Sequence, residues 1–322
     1  MMIDRHMTHL DGKPVENWYP GKPLHSPATL AYRLRLEAEE AKAGMHWVDK
    51  LACLLDTPAV TQISALVVGN WLPEPETGTY EDARLMLEAL VVASDRLRGL
   101  TTLFLGDMIP AECAITAIPQ SDVSALLQAY PGLRWLGLRG GHGLSLGNTL
   151  HHEGLNALTI QSGGLAARVV QEITAGHAPA LEHLEIWTGA AERGSTVTID
   201  DLAPIFFRCP FPRLRSLAIR NSAISDEIAF AMAHAPLLEQ LSVLDLSLGT
   251  LSDIGAAALI ESPAIHQLQK LIINHHFCSP GVVAELQQLG IVVEADDAQE
   301  EDIHNNRVDG RFIATLQQYV PV

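Results

Sequence analysis

Three stretches decide the reading of this chain: LRSLAI at 214–219, LSVLDL at 241–246 and LQKLII at 268–273. Each places apolar residues first, fourth and sixth, and each lies 27 residues from the next. In an extended strand the fourth and sixth side chains leave from one side and their neighbours from the other. The same phrase, with Ile or Val accepted, recurs upstream around Leu66, Leu103, Leu136, Leu158 and Leu184. The central residues are separated by 22 to 37 positions. Most steps lie in or near the range of roughly 20–29 for a repeat of one strand and one helix, and the longer ones contain loop insertions.

Between the strands the period changes from two to 3.6. In 225–235, Ile228, Ala231, Met232 and Ala235 fall at helical spacing, and Ser225 ahead of Asp226 and Glu227 reads as an N-cap. Ser279 before Pro280 reads as a second cap, with the proline in the first helical turn. Stretches 80–93, 121–130, 168–175, 199–207 and 252–260 read as helices too. Strands and helices in series require parallel pairing with crossover helices. The expected fold is therefore α/β: a leucine-rich-repeat solenoid with a parallel inner sheet of about eight to nine strands and outer helices.

Residues 59–293 are assigned to that solenoid, as one elongated body. Residues 1–58 lack the repeat and are expected to form an N-terminal cap, with a strand at 31–36 and a helix at 45–55. Residues 290–293 read as a last strand. Residues 294–322 comprise an acidic run, with six acids between 294 and 302, and a tail whose Phe312, Ile313, Leu316 and Tyr319 suggest order at 311–320.

The 322 residues carry 21 basic and 38 acidic groups, a net charge of −17. That balance disfavours nucleic acid as a partner, because phosphate binding needs clustered cations. Cys53, Cys113, Cys209 and Cys278 are widely spaced, which suits free thiols in a reducing compartment. With no secretory signal or membrane-length apolar run legible, a cytoplasmic location and no membrane partner are expected.

The motifs LFLGD (103–107), QSDV (120–123), LRGGHGL (138–144), SGGL (162–165), RNSAISDE (220–227), LDLSLG (244–249) and NHHF (274–277) carry a resemblance. Over about residues 60–290, with an echo at 309–311, the chain resembles stand-alone bacterial cytoplasmic leucine-rich-repeat proteins. That family belongs to the ribonuclease-inhibitor-like superfamily. The resemblance implies a horseshoe-like solenoid and a protein-interaction role, accessory to a biosynthetic enzyme system, with no established catalysis. The chain departs from the superfamily at the ninth position of each repeat, usually Asn or Cys. Here Met108, Gly141, Gly163, Gly189, Ser222, Gly249 and His276 stand there. Glycine at that place is expected to supply an unusual backbone angle.

Chemical motifs are incomplete. Gly143, Ser145 and Gly147 match GxSxG, but the short interval before Leu155 leaves no room for the helix a nucleophile elbow needs. His152-Glu153 begins HExxH, but Asn156 breaks it. The pairs His151/His152 and His275/His276 read as loop hydrogen-bonding groups, and no metal, cofactor or catalytic residue is assigned. The alternative is a small-ligand or metal-dependent enzyme or binder using the glycine-rich edge 140–147 with Ser162, Asn221 and His275.

The favoured reading is a non-catalytic scaffold that holds another protein on the outward row of its strands. The candidate residues are Phe104, Asp107, Trp135, Arg139, Gln161, His183, Glu185, Trp187, Arg220, Asn221, Asp245, Asn274 and His275. Trp and Arg are enriched at binding hot spots, and exposed aromatics call for a partner.

Overall fold

The structure is a computed structural model, described for residues 4–72, 83–301 and 311–317. It divides into two compact units. The N-terminal unit comprises residues 4–161 with Ala175–Pro179; the C-terminal unit comprises Ser162–Thr174 and the described residues from Ala180 onward.

Among the described residues of the N-terminal unit seven strands lie in chain order: β1 (His9–Leu10), β2 (Lys13–Asn17), β3 (Ala31–Leu34), β4 (Ala65–Val68), β5 (Thr102–Leu105), β6 (Trp135–Arg139) and β7 (Ala157–Gln161). Only β1 and β2 pair antiparallel; the remaining neighbours are parallel. The helices are α1 (Ala38–Lys42), α2 (Trp47–Leu55), α3 (Arg84–Val92) and α4 (Ser124–Ala129). In the C-terminal unit β8 (His183–Gly189), β9 (Ser216–Ser222), β10 (Val243–Asp245), β11 (Lys270–Ile272) and β12 (Val292–Glu294) are all parallel. Its helices are α5 (Ala167–Thr174), α6 (Ile199–Arg208), α7 (Ser225–Ala233), α8 (Leu237–Gln240), α9 (Asp253–Glu261), α10 (Pro280–Gln287) and α11 (Ala314–Gln317).

The repeat phrase sets the register. Leu66, Leu103, Leu136 and Leu158 align across β4 to β7, and Leu184, Leu217, Leu244 and Leu271 across β8 to β11. All eight have no exposed surface. Each such burial stabilises the fold by about 1.5–3 kcal/mol.

The described residues hold twelve strands, more than the eight or nine expected. The strands beyond that number are β1, β2 and β3 of residues 1–58: β3 is the strand expected at 31–36, and β2 and β3 extend the parallel ladder rather than only covering its end, while β1 pairs antiparallel with β2. Ladder pairing uses backbone N–H and C=O groups, so β2 and β3 join it without the leucine phrase. Ser225 is not the cap expected of it: α7 begins on Ser225 itself, whose hydroxyl turns back to donate to the Ser222 carbonyl at 2.9 Å. The Ser279 cap is present, accepting from the Val282 N–H at 3.5 Å.

Beyond the sheet, residues 311–317 are ordered on the C-terminal unit, with Ile313 fully buried. Tyr319 lies outside the described residues. No described helix is long and apolar enough to cross a membrane.

Candidate functional site

The outward row is not the open surface its polarity suggested. Phe104, Asp107, Arg139, Trp187, Asn221 and His275 are buried, and Asp107 and Asn221 are 0% exposed. Trp135, Gln161, His183, Glu185, Arg220, Asp245 and Asn274 are half-buried. Parallel pairing sets these residues beside their counterparts one strand away, so oppositely charged side chains cover one another.

In the N-terminal unit this face is closed by the chain's own beginning. Leu10 packs with Ala31, Ala65, Val67 and Phe104, and Met7, Val15 and Trp135 pack against that cluster. Phe104 stacks on Trp135 with centroids 6.0 Å apart, and the Arg139 guanidinium lies 5.1 Å from the Phe104 ring. Gly137 makes the stack possible, because a Cβ there would stand 2.3 Å from Phe104 and 2.5 Å from Trp135.

Asp107 forms the charged centre of this unit. Its Oδ2 accepts from Arg33 Nε at 2.8 Å and Nη2 at 2.7 Å, and its Oδ1 from Arg139 Nη1 at 3.2 Å. The Met7 N–H reaches Oδ1 at 3.3 Å, and His6 Nδ1 lies 3.7 Å from Oδ2. Burial alone would raise the Asp107 carboxyl; His6, Arg139, Arg33 and Met7 outweigh that and hold it below the usual carboxylate range. Arg139 Nε also donates to Gln161 at 2.9 Å. Sequence reading missed Arg33; its signal is an arginine inside AYRL, a strand buried at all four positions.

The C-terminal unit repeats the theme with its face more open. The Arg220 guanidinium lies 5.3 Å from the Trp187 ring, 3.4 Å from Glu185 and 3.3 Å from Asp245, and its Nε donates to Ser247 at 2.9 Å. Trp187 Nε1 donates to Glu185 at 2.6 Å. Burial pushes the Glu185 carboxyl up, but His183, Arg220 and Trp187 together hold it below its ordinary value. Farther along, Lys270 pairs with Glu294 at 2.6 Å, and Asn274 Oδ1 accepts from the Asp296 N–H at 2.7 Å.

The strand-end bends meet the expectation at Gly189, whose φ is 76°, and shift by one place at four other repeats. Gly140, Asn221, Leu248 and His275 have φ of 101°, 49°, 65° and 60°, whereas Gly141, Ser222, Gly249 and His276 after them do not enter the left-handed region. Asn and His tolerate this conformation better than most side chains. Gly249 serves close approach instead: a Cβ there would lie 2.2 Å from Ser225 Oγ. Ser145, Ser162 and Ser222 each accept from the N–H two residues on, and His276 Nδ1 does so from Cys278 at 3.1 Å. Burial lowers the His276 pKa, favouring the neutral ring that accepts this bond while its Nε2 faces the Ala295 carbonyl at 3.2 Å.

The other histidines are engaged likewise. His152 Nε2 lies 3.1 Å from the Tyr130 carbonyl, and His151 stacks on His177 at 5.5 Å. Among the described residues no three His, Cys, Asp or Glu are grouped to hold a metal ion. The Ser145 hydroxyl bonds the Gly147 backbone, and the segment between β6 and β7 forms isolated bridges rather than a helix.

Among solved structures, a Bacteroides fragilis protein determined by a structural genomics consortium is similar over 88% of this chain and 77% of its own, at 26% identity and a TM-score of 0.79. A Listeria monocytogenes internalin aligns over 89% of this chain and 87% of its own, at 14% identity and a TM-score of 0.38. No protein-family profile matches the chain, and no curated protein does. The chain shares its α/β fold, with strands and helices in series, with the Bacteroides protein.

Proposed function

We propose that this chain is a non-catalytic leucine-rich-repeat scaffold of the cytoplasm that holds a protein partner on the strand face of its C-terminal unit. The docking residues are His183, Glu185, Arg220, Asp245, Lys270 and Asn274. The supporting observation is the registered row of half-buried polar groups across β8 to β12, continuous over successive repeats. Repeat proteins use such faces for extended recognition. Arg220 and Lys270 stand against Glu185, Asp245 and Glu294, so the face is close to charge-balanced and suits a partner surface of mixed polarity. The N-terminal unit is a poorer candidate, because Met7 and Leu10 already lie on its strand face.

The test is co-purification from the native host, with mass spectrometry, of the unaltered chain and a His183→Glu/Lys270→Glu variant. Both side chains are 34% exposed, so the fold tolerates their exchange better than that of buried Arg139. The variant is expected to lose a partner that the unaltered chain retains. Retention of every partner by the folded variant overturns the assignment of this face.

A further inference from the structure

We propose that the strand-end edge of the C-terminal unit is a peptide-binding site, which this chain fills with its own residues 311–315 (RFIAT). The left-handed residue of three successive bends touches the segment. Asn221 Oδ1 accepts from the Thr315 N–H at 3.2 Å, and Asn221 Nδ2 donates to the Thr315 hydroxyl at 2.9 Å. The Leu248 carbonyl accepts from the Ala314 N–H at 3.0 Å, and His275 Nε2 lies 3.1 Å from the Phe312 carbonyl. Arg311 Nη1 reaches Asp226 at 2.7 Å and the Thr250 carbonyl at 3.1 Å. Ile313 is fully buried between these anchors.

This is the division of labour of peptide recognition. Backbone bonds at 312 and 314 fix the register, while Arg311, Ile313 and Thr315 supply selectivity. The edge therefore takes a short peptide with a leading arginine, an aliphatic residue two places on, and Thr or Ser two places beyond that. Asn221 and His275, which sequence reading placed on a partner surface, belong to this site and are occupied in cis. The inference does not rest on the partner face of the preceding subsection, and its test reads a different edge.

Two measurements test it. Hydrogen exchange on the unaltered chain is expected to show Ala314 and Thr315 opening at least about a hundredfold faster than Leu217 and Ile219 of β9, because a bound segment leaves without global unfolding. Exchange of all four at one rate overturns the proposal. In the second, the full chain carrying Arg311→Glu and Ile313→Asp is titrated with a fluorescein-labelled peptide of residues 310–317 (GRFIATLQ) and followed by anisotropy. The variant is expected to bind at least about tenfold tighter than the unaltered chain, whose tethered segment competes at an effective concentration on the order of millimolar. Peptides carrying R311E or T315V are expected to bind about tenfold more weakly, having lost a charged or buried polar partner. A folded variant that ignores the peptide, or binds all three alike, overturns the proposal. If the variant fails to fold, the exchange rates decide.

Discussion

Replacing Asp107 with Asn removes one negative charge and little volume, yet it is expected to cost the N-terminal unit about as much as a core truncation. The carboxylate is fully buried, and the Arg33 and Arg139 side chains it pairs with are 7% and 6% exposed. Breaking a buried pair from one side leaves uncompensated charge and costs about 3–5 kcal/mol. Arg33 keeps Asn17 at 3.0 Å, and Arg139 keeps Gln161 at 2.9 Å and the Met108 carbonyl at 3.1 Å, so the lower end, about 3 kcal/mol, is expected. That is a large share of the roughly 5–15 kcal/mol that holds a typical domain together. Urea unfolding followed by tryptophan fluorescence measures it, since Trp135 lies against this unit's apolar cluster. A shift in the midpoint at constant slope reports stability alone. A loss below about 1 kcal/mol, the scale of a surface ion pair, refutes the view of Asp107 as the charge that lets two arginines be buried. The acid limb adds a sign. The folded carboxyl titrates below its unfolded value, so its contribution is complete above the ordinary carboxylate range and is lost as pH falls through the depressed value. Asp107→Asn should therefore flatten the acid dependence of stability.

Gly137→Ala is expected to cost about 1–3 kcal/mol by forcing Phe104 and Trp135 apart, with a changed near-ultraviolet circular dichroism band where they stack. An unchanged band would refute the steric reading. Arg220→Ala removes the cation beside Glu185 and Asp245, and is expected to cost about 1–3 kcal/mol at neutral pH. The Glu185 carboxyl then moves back toward its unfolded value, so the stability of the variant should fall less steeply on acidification than that of the parent; an equally steep acid limb in thermal melts would contradict this.

The leucine phrase made the parallel pairing and its register legible, because eight aligned leucines have only one way to leave water together. It was silent about β1 to β3, where backbone pairing needs no such phrase. The polar row was legible as a row, but its exposure was not. A Trp or Arg in the outward position reads alike whether it faces solvent or a neighbour one strand away. The stacking of Arg139 on Phe104 and of Arg220 on Trp187 arises only when strands far apart in sequence are brought side by side. The ninth-position residues marked the bend but coincide with its left-handed member at Gly189 alone; at Gly140, Asn221, Leu248 and His275 that member lies one place earlier and is not always glycine.

What the amino-acid sequence determined by itself was local: strand and helix alternation, inward leucines and the capping of α10. Such features rest on neighbours within a few residues. What only the tertiary structure decided was which polar residues are spent on the chain itself. Asp107 is taken by Arg33 and the N-terminal segment, 74 and about 100 positions away, and Asn221 by Thr315, 94 positions away. A charge or amide read in one dimension carries no sign of a partner so distant, and burial is a property of the folded surroundings rather than of the residue.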